Sequence, residues 1–137
     1  NPAIESLSVA GSGDVLSESI KARAMEVSVA GSGDVRIARL EAESLSASVA
    51  GSGDVKVAGK AAEVKVSIAG SGDVEADRLE TRKAKVSIAG SGDVSLWVAE
   101  SLDASVAGSG DIRYYGDPAL TKKVLGSGSL KRLGRAP

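Results

Sequence analysis

The sequence of 137 residues contains no cysteine and no histidine, and each absence excludes a class of chemistry. Without these residues there is no Ser-His-Asp triad, no cysteine nucleophile, no disulfide and no zinc site with the usual ligands. The charges nearly cancel, with 17 Lys and Arg against 18 Asp and Glu. A nucleic-acid-binding protein needs a basic face, so nucleic acid is not an expected partner.

Aromatic residues and long apolar runs are scarce as well. There is no Phe, one Trp and two Tyr, and apolar runs extend over only a few residues. No transmembrane segment is therefore predicted, and no secretory signal is visible at the first residues. The length predicts a single domain.

What the sequence does contain is an internal repeat, Ala-Gly-Ser-Gly-Asp, which occurs six times at intervals of 18 to 20 residues. A seventh, degraded copy begins at Gly126, where Ser129 replaces the aspartate. An alternation of apolar and polar residues precedes nearly every copy, and Val or Ile follows each full one. This alternation is the period of a β-strand, because successive side chains leave opposite faces of the pleat. The first glycines of the six copies are Gly11, Gly31, Gly51, Gly70, Gly90 and Gly108.

The repeat predicts an all-β fold, a single-stranded parallel β-helix (β-solenoid) of about seven coils with 18–20 residues per coil. Each coil is expected to hold two or three short strands separated by corners. A helical array is disfavoured, because each Gly in the recurrent Gly-Ser-Gly costs about 1 kcal/mol in a helix. Residues 1–120 are interpreted as β-helix repeats with Ala-Gly-Ser-Gly-Asp corners, and residues 121–137 as a degenerate C-terminal coil or cap. The residues predicted to point inward around the second copy are Val27, Val29, Val35, Ile37, Leu40, Ala42 and Leu45.

The Gly-Ser-Gly-Asp motif is interpreted first as a corner, because glycine permits positive φ and aspartate accepts hydrogen bonds from backbone N–H groups. Aspartates stacked about 4.8 Å apart repel each other by about 1 kcal/mol even in water. Bound Ca²⁺, the nearby Arg36, Lys56 and Arg113, or backbone N–H donors would each offset this repulsion. No cofactor is predicted apart from Ca²⁺ at this ladder, and no catalytic residue is predicted. The ladder consists of Asp14, Asp34, Asp54, Asp73, Asp93 and Asp111.

Two aromatic residues depart from the repeat. Trp97 falls where the preceding copy carries Asp77, and Tyr115 falls at the same place one coil later. Two interpretations stay open: a surface contact for sugar or protein, or a cover for the end of the core beneath the C-terminal segment. Tyr114, in contrast, is predicted to point inward.

The charges are distributed unevenly along the chain. Residues 121–137 carry five basic residues and no acidic one, whereas residues 1–120 carry 12 basic and 18 acidic residues. This asymmetry indicates either an anionic partner or a solvated capping coil whose charges discourage end-to-end association. At the other end, Asn1-Pro2 leads straight into strand-like sequence without an evident cap. A homo-oligomer formed through this N-terminal edge is therefore a further prediction.

The repeated Gly-Ser-Gly-Asp-Val, preceded by Ser-Val-Ala or Ser-Ile-Ala, resembles the bacterial "putative auto-transporter adhesin, head GIN domain" family, a domain of unknown function. The Tyr-x-Gly-x-Pro element within residues 108–118 and the opening residues 1–7 are similar to the ending and entry of that family. The resemblance implies a right-handed β-helix in the periplasm, at the outer membrane surface or outside the cell. It supplies no catalytic residues. Family members usually carry a signal peptide and a further β-rich segment, so this sequence is expected to be a fragment or a processed form.

Three functions follow from these observations. The first is a non-enzymatic exported or cell-envelope domain, an adhesin or a structural scaffold that binds a surface glycan or a protein. The second is a self-assembling solenoid, and the third is a polysaccharide-active enzyme using two ladder carboxylates. Repetition of one aspartate in every coil favours a structural role over the third function. The flat face expected to bind is lined by Ser28, Ser48, Ser67, Ser87 and Ser105.

Overall fold

The computed structural model describes residues 4–134, which form ten β-strands. No helix in this range has the length and apolar character needed to cross a membrane. The predicted edge at Asn1-Pro2 lies outside the described residues. The strands are β1 (Ile4–Gly11), β2 (Asp14–Ser17), β3 (Ile20–Gly31), β4 (Asp34–Gly51), β5 (Asp54–Gly70), β6 (Asp73–Gly90), β7 (Asp93–Gly108), β8 (Asp111–Tyr115), β9 (Ala119–Leu125) and β10 (Ser129–Gly134).

All strand pairs are parallel, and each joins equivalent residues of successive coils. Gly31 pairs with Gly51, Gly51 with Gly70, and Gly70 with Gly90. The chain is thus wound into a β-solenoid of about seven turns, which confirms the predicted fold class.

The number of strands per coil differs from the prediction. Each central coil is one continuous strand, such as β4 or β6 with 18 residues, instead of two or three short ones. The hydrogen-bond ladder runs between coils, so it persists around a corner wherever neighbouring coils bend together. Only the Ser-Gly before each aspartate interrupts the strands in every full copy, while corners between coils of unequal length show register shifts, as between Ile37 and Leu40.

The core is a narrow column of aliphatic side chains along the axis, and the predicted inward residues lie in it. Val29, Val35 and Ile37 are at most 2% exposed, whereas the adjacent Ser28 and Arg36 face solvent. Ala42 is only partly buried. The alternation in the sequence therefore assigned the faces of the strands correctly, because each coil has a single inside.

In the last coil, basic residues stand at two positions that are buried in the preceding coil. Lys122 of β9 stacks on the buried Ala104, and Arg132 of β10 stacks on the buried Tyr114. Arg132 turns to the rim of the coil, where its Nε donates a hydrogen bond of 2.7 Å to the Gly116 carbonyl. The C-terminal edge of the core thus presents basic groups in these rows, where the preceding coils present apolar side chains.

Candidate functional site

The six aspartates of the predicted ladder lie in one row, and each pairs with its counterpart in the next coil except Asp73, which is joined to Asp93 by a hydrogen bond. Most of them accept a hydrogen bond from the next coil. Asp14 Oδ1 accepts the Asp34 N–H at 3.3 Å, and Asp73 Oδ1 accepts the Asp93 N–H at 3.1 Å. At the end of the row, Asp111 Oδ1 accepts both the N–H and the hydroxyl of Ser129, at 3.2 and 2.9 Å. The carboxylates therefore bind the coils together along the axis.

Asp54, in the middle of the row, has a different environment. The Asp73 N–H donates to the Gly53 carbonyl at 3.3 Å. Partial burial, followed by the neighbouring carboxylates of Asp73 and Asp34, raises the pKa of Asp54 above its usual value. A cavity of about 240 Å³ adjoins these residues and is lined by the three carboxylates together with Arg36, Val35, Val55, Lys56 and Glu75.

Within residues 4–134, no three acidic side chains lie close enough together to form a metal site. The aspartates point along the row in the same direction and do not converge on a common centre, as their one-to-one hydrogen bonds show. Ca²⁺ binding to the ladder stays a prediction.

The raised pKa of Asp54 predicts how its replacement by asparagine depends on pH. The folded protein holds the Asp54 proton more tightly than the unfolded chain does, so the charged carboxylate destabilises the fold at neutral pH. This destabilisation disappears as the pH falls through the folded pKa toward 3.8, the ordinary value. We therefore expect Asp54→Asn to be more stable than the wild type at pH 7, by less than about 1 kcal/mol because the site is exposed.

The gain should vanish at low pH in urea titrations measured across the acidic range. Asp14→Asn is the matched control, because Asp14 has an aspartate neighbour on one side only. A gain at Asp54 that does not change with pH, or an equal gain at Asp14, would contradict the role of the stacked carboxylates.

The predicted serine row is present as an unbroken ladder. Ser28, Ser48, Ser67, Ser87 and Ser105 pair Cα to Cα through five coils. The first four are exposed and the last is partly exposed. The next outward row consists of exposed alanines, including Ala50 and Ala69. These two neighbouring rows are therefore uncharged through these five coils, with one ladder hydroxyl in each coil.

An open groove flanks the serine ladder and runs along the axis across β4 to β7. Its volume is about 460 Å³. Its lining includes Ser44, Ser46 and Ser101, which are not ladder serines, and the side chains of Lys65, Lys83 and Lys85. Two carboxylates, from Glu63 and Asp103, also line it. This groove is not evident in the sequence, because its lysines occupy equivalent positions in only two coils.

Trp97 and Tyr115 are stacked on each other and partly exposed. Tyr114, the residue before Tyr115, points inward as predicted and is 8% exposed. The expected alignment of Trp97 with Asp77 is wrong, because a register shift after Ala76 pairs Trp97 with Glu80. Residues 77–79 have no partner in β7 at this corner, since the coil that follows is shorter.

Leu16 is an exposed residue that was not among the predicted site residues. Leu16 is 76% exposed and pairs with Arg36, which in turn pairs with Lys56. An apolar residue at a position that is charged in the next copies was the signal available in the aligned repeats. Together with Arg36, Lys56 and Arg78, Leu16 lines a second groove, of about 600 Å³.

Solved structures show the same fold over nearly the whole chain. A "putative lipid binding protein" from Parabacteroides distasonis has a TM-score of 0.92 and 36% identity, covering 95% of this chain and 55% of its own. A "putative adhesin" from Parabacteroides merdae has a TM-score of 0.92 and 26% identity, covering 96% and 57% respectively. Another from Bacteroides fragilis has a TM-score of 0.89 and 31% identity, covering 94% and 60%. This chain thus spans little more than half the length of these relatives.

No curated protein matches the sequence significantly. The sequence profile of one family, described as "Putative auto-transporter adhesin, head GIN domain", matches residues 1–118. This range contains all six full corners and the Tyr-x-Gly-x-Pro ending, which are the features that carried the resemblance. The chain belongs to the "putative auto-transporter adhesin, head GIN domain" family.

Proposed function

We propose that this chain is a non-enzymatic, adhesin-like binding domain of the bacterial cell envelope. It acts in the periplasm, at the outer membrane surface or outside the cell, and holds a surface glycan along the solenoid axis. The observation that carries this proposal is the unbroken serine ladder beside an axial groove. Family membership and the "putative adhesin" relatives support a surface role.

A linear glycan suits this face because both are periodic. The serine hydroxyls recur once per coil, at about 4.8 Å, which is close to the length of one sugar ring in an extended chain. Exposed hydroxyls without charge match sugar hydroxyls, and the groove volume lies in the usual range for small-ligand sites. Lys65 and Lys85 would favour a glycan that carries acidic groups.

The aspartate row supports a binding role over a hydrolytic one. A glycosidase needs two carboxyl groups in different environments, one held protonated and one ionised. Here five of the six aspartates share one environment, because each uses an oxygen to accept a backbone N–H from the next coil. Such carboxylates act as structural acceptors. The exception, Asp54, has a raised pKa but is exposed in the row, without the burial that keeps a catalytic acid protonated.

The test is a glycan array followed by a titration with the glycan that binds best. The triple variant Ser48→Ala/Ser67→Ala/Ser87→Ala removes three ladder hydroxyls, and we expect it to bind about tenfold more weakly or worse. The control triple removes three exposed hydroxyls of the same coils from the Gly-Ser-Gly corners and should bind like the wild type. These control positions are Ser52, Ser71 and Ser91.

Absence of binding to every glycan, or equal losses in the two triple variants, would contradict the proposal. Capture of a protein ligand that depends on the ladder serines would make the partner a protein instead of a glycan.

A further inference from the structure

One corner of the solenoid combines apolar, aromatic and basic side chains. It follows the strand segment that begins at each aspartate, and we refer to it as the basic corner. In the first four coils it forms the groove of about 600 Å³, whose apolar lining includes Leu16, Ala38 and Ala58. The fifth and sixth coils turn the same corner at Trp97 and Tyr115, which pair with each other, while Trp97 pairs with Glu80 in the fourth coil. The corner is defined by Leu16, Arg36, Ala38, Lys56, Ala58, Arg78, Trp97 and Tyr115.

The basic residues of this corner are available for an anionic partner. Among the described residues, neither Arg36 nor Arg78 has a carboxylate within 4.0 Å, the distance at which the ion pairs of this fold are found. Lys56 lies 3.8 Å from Glu75 and is partly neutralised. The groove contains three basic residues and one acidic residue, Glu18. Residues 1–120 as a whole carry 12 basic against 18 acidic residues, so the groove lining has the opposite sign to the rod, although Glu75, Asp77 and Glu80 lie beside it.

The apolar side chains face the same way as these charges. Leu16 is 76% exposed, in the outward row that also holds Arg36 and Lys56. Trp97 and Tyr115 alternate with the buried Leu96 and Tyr114, and therefore point outward with the exposed Arg113. Exposed Leu, Trp and Tyr side chains together with Arg and Lys are typical of protein surfaces that lie at the membrane–water interface.

We propose that the basic corner rests on the surface of an anionic phospholipid membrane. Leu16 and Trp97 enter the headgroup layer, while Arg36 and Arg78 bind lipid phosphates. The groove is open along the corner and Leu16 protrudes from it, which suits contact with a surface better than enclosure of a single lipid. The proposal is independent of the glycan-binding proposal, which uses the serine ladder.

The aspartate row is the strongest opposing charge, because Asp34 and Asp54 lie two residues before Arg36 and Lys56 on the same face. Their side chains are short, and Asp34 Oδ1 is directed along the axis to the Asp54 N–H. Arg and Lys extend several bonds further and reach the membrane first. Binding is therefore expected to be weak and to fall as salt screens the charges.

The single tryptophan makes the test specific, because all tryptophan emission comes from Trp97. We expect a blue shift with vesicles of phosphatidylcholine and phosphatidylglycerol, reversed by salt, and no shift with phosphatidylcholine alone. Arg36→Glu/Arg78→Glu should lower the partition coefficient about 25-fold or more, since each basic residue contributes about fivefold near an anionic surface. The control Lys65→Glu/Lys85→Glu makes the same charge change on the glycan-binding side and should retain binding.

A second variant keeps the test valid if charge reversal impairs folding. Leu16→Ser changes a side chain that is 76% exposed, so the fold should be retained, while partitioning falls about tenfold. The proposal is overturned by the absence of a shift with both kinds of vesicle, or by equal losses in the two double variants. A shift with dextran sulfate but not with vesicles would identify a soluble polyanion as the partner. Failure of the glycan array would leave these outcomes unchanged, because they report on a different face.

Discussion

Replacing Gly70 by alanine is expected to destabilise the solenoid by about 3 kcal/mol or more. Gly70 closes a central coil with a φ of +122°, a backbone region that costs other residues about 1–3 kcal/mol. A Cβ atom there would also lie 2.6 Å from the carbonyl oxygen of Gly51 and 3.1 Å from its nitrogen. Neither backbone can move aside, because the Ser71 N–H donates to that same oxygen at 3.0 Å and further coils stack on both sides. Overpacking of this kind adds a further loss of about 1–3 kcal/mol.

Two alanine substitutions in the first coil separate the causes of this loss. Gly11 has a φ of +91°, but its Cβ would meet no atom within 4 Å, so Gly11→Ala should show the conformational cost alone. Gly13 has neither a positive φ nor a close neighbour, so Gly13→Ala should be neutral or slightly stabilising. Urea unfolding followed by circular dichroism gives the three free energies. Equal losses at Gly70 and Gly11 would mean that the close approach of the coils contributes nothing.

The same close approach explains why the corner recurs in the sequence. A residue with a Cβ at the first glycine would clash with the preceding coil, so the constraint is renewed in every coil after the first. In a solenoid, each coil is stabilised only by its two neighbours, and a defect in the middle breaks two interfaces at once. A composition rich in glycine and poor in aromatic residues thus follows from the stacking distance.

Strict alternation made the faces of the strands predictable, whereas the pairing of residues at the corners was harder to predict. Val29 and Ser28 are assigned by period alone, because a coil has one inside and one outside. The pairing of Trp97 with Glu80 was not predictable, since a shorter coil omits residues at a corner that the sequence does not specify. The sequence left three ways to offset the repulsion among the aspartates. The structure provides backbone N–H groups as partners for five of the six.

The grooves were the least predictable features, because each depends on side chains from several coils. The groove lined by Lys65 and Lys85 arises between two outward rows whose residues change from coil to coil, apart from this one pair of lysines. The exposure of Leu16 depends on the residues stacked around it as much as on its own position. Such sites become visible only when the register of successive coils is known.

Replacing Lys122 by valine is expected to cause end-to-end association of the protein. Continuing the register of the coils into a second copy would set Lys122 of β9 against Leu7 and Val124 against Val9. In β3 to β7, the residues stacked in line with Lys122 are all buried. They are Val27, Ala47, Val66, Val86 and Ala104. An unpaired ammonium group enclosed in this row costs several kcal/mol, whereas valine would extend the core into the next copy. An inward-pointing charge is one of the ways in which proteins protect an open sheet edge.

Lys123→Val is the matched control, because Lys123 continues the outward serine row and is adjacent in sequence. Both variants lose one positive charge and gain one valine, but only Lys122→Val removes a charge from the core row. Light scattering coupled to size-exclusion chromatography should show a mass that grows with concentration for Lys122→Val and not for Lys123→Val. Adding Arg132→Leu should lengthen the chains further, since Arg132 stacks on the inward Tyr114. Growth beyond a dimer also distinguishes this association from pairing of two N-terminal edges, which ends at two copies because each copy has one such edge. If both valine variants have the mass of the wild type at every concentration, the inward position of Lys122 is not what prevents stacking.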